Sequence, residues 1–335
     1  MTARATGGSA RGDARAPIVL DAAEGRAADD VSLFFVGTAT VLLRLGPFTV
    51  LTDPNFLHAG DHAHLGYGIR SRRLTEPALQ PADLPPLDAV VLSHHHGDHF
   101  DEVAARSLDP DLPIVTEQGS ARKLRKQGFR RAVDLDTWEH QELVRGDDAL
   151  RITATPAKHA PRPLGWLLPS VMGSVLDLTI AGRHSFRLYI TGDTLLHDRL
   201  AEIPDRFPDI DVGLFHLGGT RIAGVLLTMD ADQGLRAIQI IRPAVVVPIH
   251  YDAYTVFRSP SSTSRRSWRA PTWTATCATS SGVRPSTSRC RPPDQQSRPP
   301  RLWLTPSPGS ERSWPPPLTS HVGRVNRRGS SSPTG

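Results

Sequence analysis

Short apolar runs separated by turn residues open the patterned part of the chain. They cover residues 33–36, 41–45 and 48–52. Runs of this length that are rich in Val, Leu and Phe are typical of β-strands, and a Gly46-Pro47 pair marks a tight connection between the last two. The pattern predicts an antiparallel meander that ends at Asp53.

From residue 88 onward, apolar strand-like runs alternate with segments of helical spacing. The predicted strands lie at 88–93, 113–116, 150–155, 175–181, 186–191, 210–215 and 244–249, and the predicted helices at 101–107, 119–128, 197–203 and 230–241. Two strand-rich halves, each ending in alternating strands and helices, favour two sheets packed face to face with helices outside. The chain shows no internal period of about 20–50 residues, which argues against a repeat array.

The hydrophobic pattern stops after Arg258, where Ser, Pro, Arg and Thr dominate. We therefore divide the chain into a flexible leader (1–30), a patterned domain (31–258) and a tail (259–335). One interpretation of the tail is a disordered, RNA-binding segment. We favour a frameshift, because restoring one C after the Pro260 codon, in GC-rich codons, yields an amphipathic helix, a turn and an alternating strand.

The net charge of +5 resides in this tail. Residues 259–335 contain twelve Arg and two acidic residues, which leaves −5 for residues 1–258. Because the patterned domain is mildly acidic, we expect no specific nucleic-acid partner.

Both cysteines, Cys277 and Cys290, also lie in the tail. The patterned domain therefore has no thiol for a disulfide, a Cys nucleophile or a thiolate site, and a metal must be held by His and carboxylate groups. No apolar run approaches the ~18–20 residues of a membrane span, and residues 1–30 lack the apolar core of a secretory signal. We expect a cytoplasmic protein without a transmembrane segment.

The predicted strand at 88–93 leads directly into a loop with the sequence Ser-His-His-His-Gly-Asp-His-Phe. Within it His94, His96, Asp98 and His99 have the spacing H-x-H-x-D-H, which brings four potential metal donors into one loop. His94 and His96, two apart on an extended chain, point the same way and can bind one ion.

Two further residues of the loop complete this interpretation. Gly97 lets the backbone turn sharply and directs Asp98 and His99 toward a second ion. His95 should face away from its neighbours, and we leave it out of the metal set. The alternative is a solvated His-rich loop.

Three more donors each follow an apolar strand, at the position where strand ends converge on a site. They are His159, Asp193 and His250. Individually they could be a surface histidine, a turn or N-cap aspartate and a strand-end histidine. Together with the loop they favour a metal site, because hydrolytic metal sites need further ligands and an open position for water.

These segments together resemble the metallo-β-lactamase fold hydrolases, and most closely the branch with ascorbate-phosphate lactonase and the N-acyl phosphatidylethanolamine phospholipase D enzymes. The resemblance spans about residues 32–258 and is carried by 36–40 (Val-Gly-Thr-Ala-Thr), 51–54 (Leu-Thr-Asp-Pro), the 93–100 loop, 191–193 (Thr-Gly-Asp) and 248–251 (Pro-Ile-His-Tyr). It implies an α/β fold: a four-layer αββα sandwich of two mixed β-sheets with outer helices.

The resemblance also implies two divalent metal ions. One ion would be held by His94, His96 and His159, the other by Asp98, His99 and His250, with Asp193 bridging. We expect zinc, with manganese as the alternative, since His and carboxylate sites accept both.

The activity implied is that of a metal-dependent hydrolase, which uses a metal-bound hydroxide to cleave an ester, lactone or phosphodiester bond. Asp98 would orient the water or accept its proton. His216 is a candidate leaving-group acid or oxyanion donor, and the alternative, which the sequence favours, is a buried structural histidine.

Other polar residues offer weaker interpretations. His62 and His64 could line the mouth of the site, although a solvated loop is favoured, and Arg70, Arg72 and Arg73 are more simply read as solvated charges than as contacts to an anionic substrate. We expect a small-molecule or lipid-like substrate. The sequence leaves the oligomeric state open.

Two alternative functions remain. A metallo-nuclease of RNA processing is disfavoured because the chain has no room for the additional domain that such nucleases usually insert between the later ligands. The other alternative is an inactive, unstable product that lacks its native C-terminal helix and strand.

Overall fold

Two seven-stranded sheets form the centre of the molecule in the computed structural model, which describes residues 15–21, 30–66, 68–161, 169–222, 224–258 and 301–305. The strands are β1 (Ile18–Val19), β2 (Asp30–Gly37), β3 (Thr40–Leu45), β4 (Phe48–Thr52), β5 (His62–His64), β6 (Arg70–Arg72), β7 (Ala89–Val91), β8 (Ile114–Thr116), β9 (Ala132–Asp134), β10 (His140–Arg145), β11 (Asp148–Thr155), β12 (Gly173–Ile180), β13 (Arg183–Ile190), β14 (Val212–His216), β15 (Arg221–Ile222), β16 (Val225–Leu226), β17 (Val245–Ile249) and β18 (Arg301–Thr305). The helices are α1 (Glu102–Ser107), α2 (Gln118–Lys126), α3 (Glu202–Arg206) and α4 (Ala231–Ile241), with short 3-10 helices at Pro81–Asp83 and Asp198–Ala201.

The first sheet has the strand order β18-β2-β3-β4-β7-β8-β9. The meander of β2, β3 and β4 is antiparallel, as predicted, and β4, β7, β8 and β9 are parallel. The second sheet has the order β1-β10-β11-β12-β13-β14-β17 and is also mixed. Its strands β13, β14 and β17 are parallel to one another.

The two sheets pack face to face over one apolar core. Leu43 of β3 and Leu176 of β12 belong to the same buried cluster, which draws side chains from both sheets. In β3 the alternate residue Leu42 points to the opposite face, where it joins a second cluster. This alternation explains why β3 is almost wholly apolar, since both of its faces are buried.

The helices form the outer layers. Ala121 and Leu124 of α2 pack with the outer face of the first sheet. Ile203 of α3 and Ile238 of α4 pack with the outer face of the second sheet. The predicted four-layer αββα sandwich of two mixed sheets is therefore confirmed.

Several short elements were not predicted. The hairpin of β5 and β6, the hairpin of β15 and β16, and the strands β9 and β10 are too short or too polar to show a period. The helix predicted at 197–203 is a 3-10 turn followed by the short helix α3.

The leader and the tail contribute one described strand each. β1, within residues 1–30, pairs in parallel with β10, and β18, within residues 259–335, pairs in parallel with β2. The rest of the tail and most of the leader lie outside the described residues, so these two boundaries stay predictions. No α-helix in the described ranges combines the length and apolar character needed to cross a bilayer.

Candidate metal centre

Seven side chains from four parts of the chain meet beyond the ends of four strands, β7, β11, β13 and β17. Their ligand atoms form three groups, in each of which the atoms lie within 4.8 Å of one another: His94, His96 and His159; Asp98, His99 and His250; and His94, His99 and Asp193. Six of the seven residues are buried and His96 is half-buried. The structure thus brings together the residues expected for two neighbouring ions, with Asp193 close to both groups.

The loop after β7 presents its histidines on two sides. His94 Nε2 lies 2.8 Å from His96 Nδ1, so both rings face one point. His95 turns away, as expected, and its Nε2 lies 3.0 Å from Oε1 of Gln127. The backbone then curls tightly, because the amide of Phe100 donates to the carbonyl of His96 over 2.7 Å.

Gly97 has a different role from the one expected. Its φ lies outside the left-handed region, so a side chain would not strain the backbone there. Instead, a Cβ at Gly97 would lie 2.7 Å from the amide nitrogen and 2.8 Å from the carbonyl oxygen of His64. The glycine is needed because β5 crosses directly over the loop, and the Gly97 amide donates to the His64 carbonyl over 2.9 Å.

Buried polar atoms without hydrogen bonds test whether this site fits metal ions. Among the described residues, such atoms include Oδ1 of Asp98, Nε2 of His99, Nδ1 of His159, Oδ1 of Asp193 and both ring nitrogens of His250. Each unsatisfied buried polar group costs about 1–3 kcal/mol. These six atoms, out of eleven such atoms in the described residues, belong to the expected ligands, and coordination to cations would satisfy them. The residues present therefore fit a metal centre.

Asp193 lies between the two groups. Its Oδ1 is 3.1 Å from Nδ1 of His250, and its Oδ2 is 3.3 Å from Nε2 of His99. The hydroxyl of Thr228 donates to Oδ2 over 3.0 Å and fixes the carboxylate. Burial alone would raise the pKa of Asp193, but His250 and His99 hold it well below its usual range. The carboxylate is therefore charged and oriented.

The pKa values of the first group suit metal binding. Burial, together with the neighbouring histidines, lowers the pKa of His94 well below 6.5. Burial and His159 lower the pKa of His96 to about 3, and burial lowers the pKa of His159. These three imidazoles are therefore neutral near neutral pH, which is the form that binds a metal.

His99 behaves in the opposite way. Burial alone would lower its pKa, but the carboxylates of Asp193, Asp98 and Asp53 raise the pKa of His99 well above 6.5. The metal-free site therefore holds a proton on His99 among three carboxylates.

Asp53, the residue that follows β4, contacts the loop after β7 through both oxygens of its carboxylate. Its Oδ1 accepts from the Ser93 amide over 2.7 Å, and its Oδ2 lies 3.2 Å from Nδ1 of His99. Because Asp53 engages Nδ1, it turns Nε2 of His99 toward the other ligands. Sequence reasoning assigned Asp53 no role; an acid directly after an apolar strand and before a proline was the available signal.

His216 belongs to the same supporting layer. It is fully buried, with Nδ1 3.2 Å from Oγ1 of Thr191 and Nε2 3.4 Å from Oδ2 of Asp53. Its ring stacks on His99 at 5.9 Å with an interplanar angle of 13°. Burial lowers the pKa of His216. Both ring nitrogens of His216 contact other buried groups. This supports the role of a buried structural histidine rather than that of a leaving-group acid or oxyanion donor.

Arg73 corrects the expectation of a solvated charge. Its side chain is fully buried, and its Nη1 donates to the backbone carbonyl of Asn55 over 3.1 Å and also to the Asn55 side chain. The Tyr254 hydroxyl donates to the same Asn55 side chain over 2.9 Å. Arg70 and Arg72 are exposed, as expected.

Two cavities open beside the centre. The first, of about 910 Å³, is bordered by His96 and Gly97 and by His62 and His64 of β5. Both of these outer histidines are exposed. The second, of about 370 Å³, is bordered by His159.

Comparison with known proteins identifies relatives over most of the patterned domain. A family model described as the beta-lactamase superfamily domain matches residues 49–251. A UPF0173 metal-dependent hydrolase of Thermoplasma acidophilum is 26% identical over 208 residues, which cover 59% of this chain and 84% of that protein. An uncharacterized protein of Mycobacterium tuberculosis is 28% identical over 240 residues, covering 70% of this chain but only 62% of the relative's length.

Solved structures share the fold. An isothiocyanate hydrolase from Delia radicum gut bacteria superposes with a TM-score of 0.59 at 24% identity, covering 70% of this chain and 90% of that one. A possible metal-dependent hydrolase from Veillonella parvula superposes with a TM-score of 0.56 at 22% identity, covering 72% and 92%. At these identities the likeness concerns the fold alone.

Proposed function

This chain belongs to the beta-lactamase superfamily domain family and is a metal-dependent hydrolase of that superfamily, and on that premise we propose that it cleaves an ester, lactone or phosphodiester bond. The observation that carries the proposal is the set of buried ligand atoms that form no hydrogen bond, at the junction of the two sheets. We further propose that it belongs to the branch with ascorbate-phosphate lactonase and N-acyl phosphatidylethanolamine phospholipase D, which the segments at 36–40 and 248–251 support.

The proposed site holds two divalent cations. His94, His96 and His159 would hold one, Asp98, His99 and His250 the other, and Asp193 would contact both. Zinc is the proposed metal and manganese the alternative, since imidazole and carboxylate ligands accept both. When bound, such a pair of cations lowers the pKa of a water and polarises the scissile carbonyl or phosphoryl oxygen.

The chain's own residues would perform the remaining tasks. Asp98 has a buried Oδ1 without a hydrogen bond, which can orient the attacking water and accept its proton. Asp53 keeps His99 in one tautomer and orientation through Nδ1. His216 holds Asp53 from the other side, a positioning role that its burial and both of its ring contacts support.

The two cavities support a small-molecule or lipid-like substrate rather than a macromolecule. Concave pockets of about 300–1,000 Å³ are typical of small-ligand sites, and both cavities fall in this range. A cytoplasmic location also stays a proposal.

Metal analysis and substitution test the proposal. We expect the purified chain to contain about two equivalents of divalent metal. The His94→Ala and Asp98→Ala proteins should stay folded, lose metal and lose turnover of lactones, phosphodiesters or acyl esters. His184→Ala is the matched control, because His184 is exposed on β13 outside the site. Parent-like turnover in the first two proteins would refute the mechanism.

The same measurements distinguish the inactive-product alternative. Aggregation or low metal content in the present chain, rescued when the residues after Pro260 are replaced by the restored reading frame, would favour a damaged product. Soluble protein with two metals and turnover would favour the enzyme.

A further inference from the structure

The larger cavity joins the candidate metal centre to a distinct part of the surface. Its walls come from the β5–β6 hairpin, the loop after β7, the start of α1, and α2. His96, a member of the first ligand group, borders it directly. A molecule that occupies this cavity therefore extends from His96 toward α2.

One wall of this cavity is strongly cationic. Arg122, Lys123 and Lys126 of α2 all border it, and all three are exposed. None of them forms an ion pair with any residue that the structure describes. By contrast, Arg125, on another side of the same helix, pairs with Asp134. The cation of α2 that lies outside the cavity is therefore ion-paired, whereas the three that border the cavity are not.

The acidic residues of the cavity do not balance these charges. The Asp101 carboxylate caps α1 and accepts from the amides of Ala104 and Leu57, each over 2.7 Å. Glu102 is the other acid that borders the cavity. Three cations therefore face two carboxylates, of which that of Asp101 is buried and already hydrogen-bonded, so the wall keeps a net positive charge and attracts anions.

The floor of the cavity is apolar. Leu57, Ala63 and Phe100 border it and are buried. The smaller cavity beside His159 has no such excess of positive charge. Its lining contains two acids, Glu117 and Asp136, and one cation, Lys158. The excess of positive charge is thus confined to one side of the metal centre.

We propose that the cavity between His96 and α2 is a subsite for an anionic group, a carboxylate or a phosphate ester, on the substrate. Arg122, Lys123 and Lys126 would bind this group while the scissile bond lies at the metal ligands. This inference rests on the proposed hydrolase function and adds a substrate class to it.

A ratio of rates tests the subsite. The substrates are three p-nitrophenyl esters of equal length that end in a methyl, a carboxylate or a phosphate group. In the metal-loaded protein carrying Arg122→Gln and Lys126→Gln, we expect the kcat/KM of the anionic esters, divided by that of the methyl ester, to fall roughly tenfold. The preferred anionic ester identifies the group, and the preference should weaken with salt.

The matched control removes two charges elsewhere. Arg106 and Arg131 are exposed and do not border the cavity, so a protein with Arg106→Gln and Arg131→Gln should keep the parent ratio. An equal fall in both double variants, or no fall in the first, would overturn the subsite.

Equilibrium binding separates this inference from the proposed function. If the metal-loaded parent hydrolyses none of the esters, the proposed bond class fails for them, and calorimetric titration with benzoate and phenyl phosphate decides the subsite. Weaker binding to the Arg122→Gln, Lys126→Gln protein than to the parent and the control supports it. Equal binding to all three, or no binding to the parent, overturns it.

Discussion

Asn55 donates a hydrogen bond from its side-chain amide to the backbone carbonyl of Gly97 over 2.8 Å. The side-chain oxygen of the same residue accepts from the Tyr254 hydroxyl and from the guanidinium of Arg73. All three side chains are buried. One amide therefore connects the metal-ligand loop to a buried cation and to the segment that follows His250.

Substituting Asn55 separates the two functions of this amide. Asn55→Asp keeps an acceptor for Arg73 and Tyr254 but loses the donor to Gly97. We expect a folded protein whose metal affinity falls roughly tenfold, because groups behind the ligands orient them. Asn55→Leu removes one acceptor of the buried Arg73 guanidinium and the acceptor of the Tyr254 hydroxyl, and should lower the free energy of unfolding by about 1–3 kcal/mol.

Urea unfolding and metal titration of both variants measure these effects. The Asn55→Asp protein should still unfold cooperatively when metal-free and should bind metal more weakly than the parent. Parent-like metal affinity in that protein would show that the bond to Gly97 does not position the loop.

Gly97→Ala tests the close approach of β5 to the loop. The added methyl would lie 2.7 Å and 2.8 Å from backbone atoms of His64, which cannot rotate away. We expect a loss of about 1–3 kcal/mol in the free energy of unfolding and weaker metal binding. Gly119→Ala is the control, because the nearest atom there, at 3.1 Å, is the end of the Glu117 side chain. Equal losses in both proteins would refute the explanation.

The parts of the site that could be predicted from the sequence are those determined by residues close together along the chain. Each expected ligand follows a strand, and an apolar run reveals a strand whose two faces are both buried, as in β7. The H-x-H spacing also fixes side-chain direction along the chain, so His94 and His96 could be paired and His95 set aside.

The parts that depend on distant contacts were not predictable from local pattern. Arg73 is buried because Asn55 and Tyr254 surround it, and Tyr254 lies far along the chain. Nothing in the residues around Arg73 distinguishes it from its exposed neighbours Arg70 and Arg72. The role of Gly97 likewise depends on β5, an element too short and polar to show a period.

Proton release on metal binding follows from the state of His99. Its raised pKa means that the metal-free protein carries a proton on this ring near neutral pH. A ligand nitrogen must lose that proton, so metal uptake should release about one proton more from the parent than from His99→Gln. In His99→Gln the first group of ligands is intact and still binds a cation. Calorimetry in buffers of different ionisation heat measures this difference, and equal proton release from the two proteins would contradict it.

Acid stability of the metal-free protein should depend on Asp53. Burial alone would raise its pKa, but His99 and His216 lower the pKa of Asp53 from 3.8 to about 2. A carboxyl whose pKa falls on folding stabilises the fold above its unfolded value, and this contribution disappears as the pH falls from 3.8 toward about 2. The shift corresponds to about 2 kcal/mol.

The Asp53→Asn protein should lack this part of the pH dependence. We expect the parent's free energy of unfolding to fall by about 2 kcal/mol more than that of Asp53→Asn as the pH is lowered through this range. Asp111→Asn is the control, since Asp111 is exposed and its ion pair with Arg130 is screened by solvent. If the curves of the parent and Asp53→Asn run parallel while metal affinity still falls in the variant, Asp53 orients His99 without stabilising the fold through its charge.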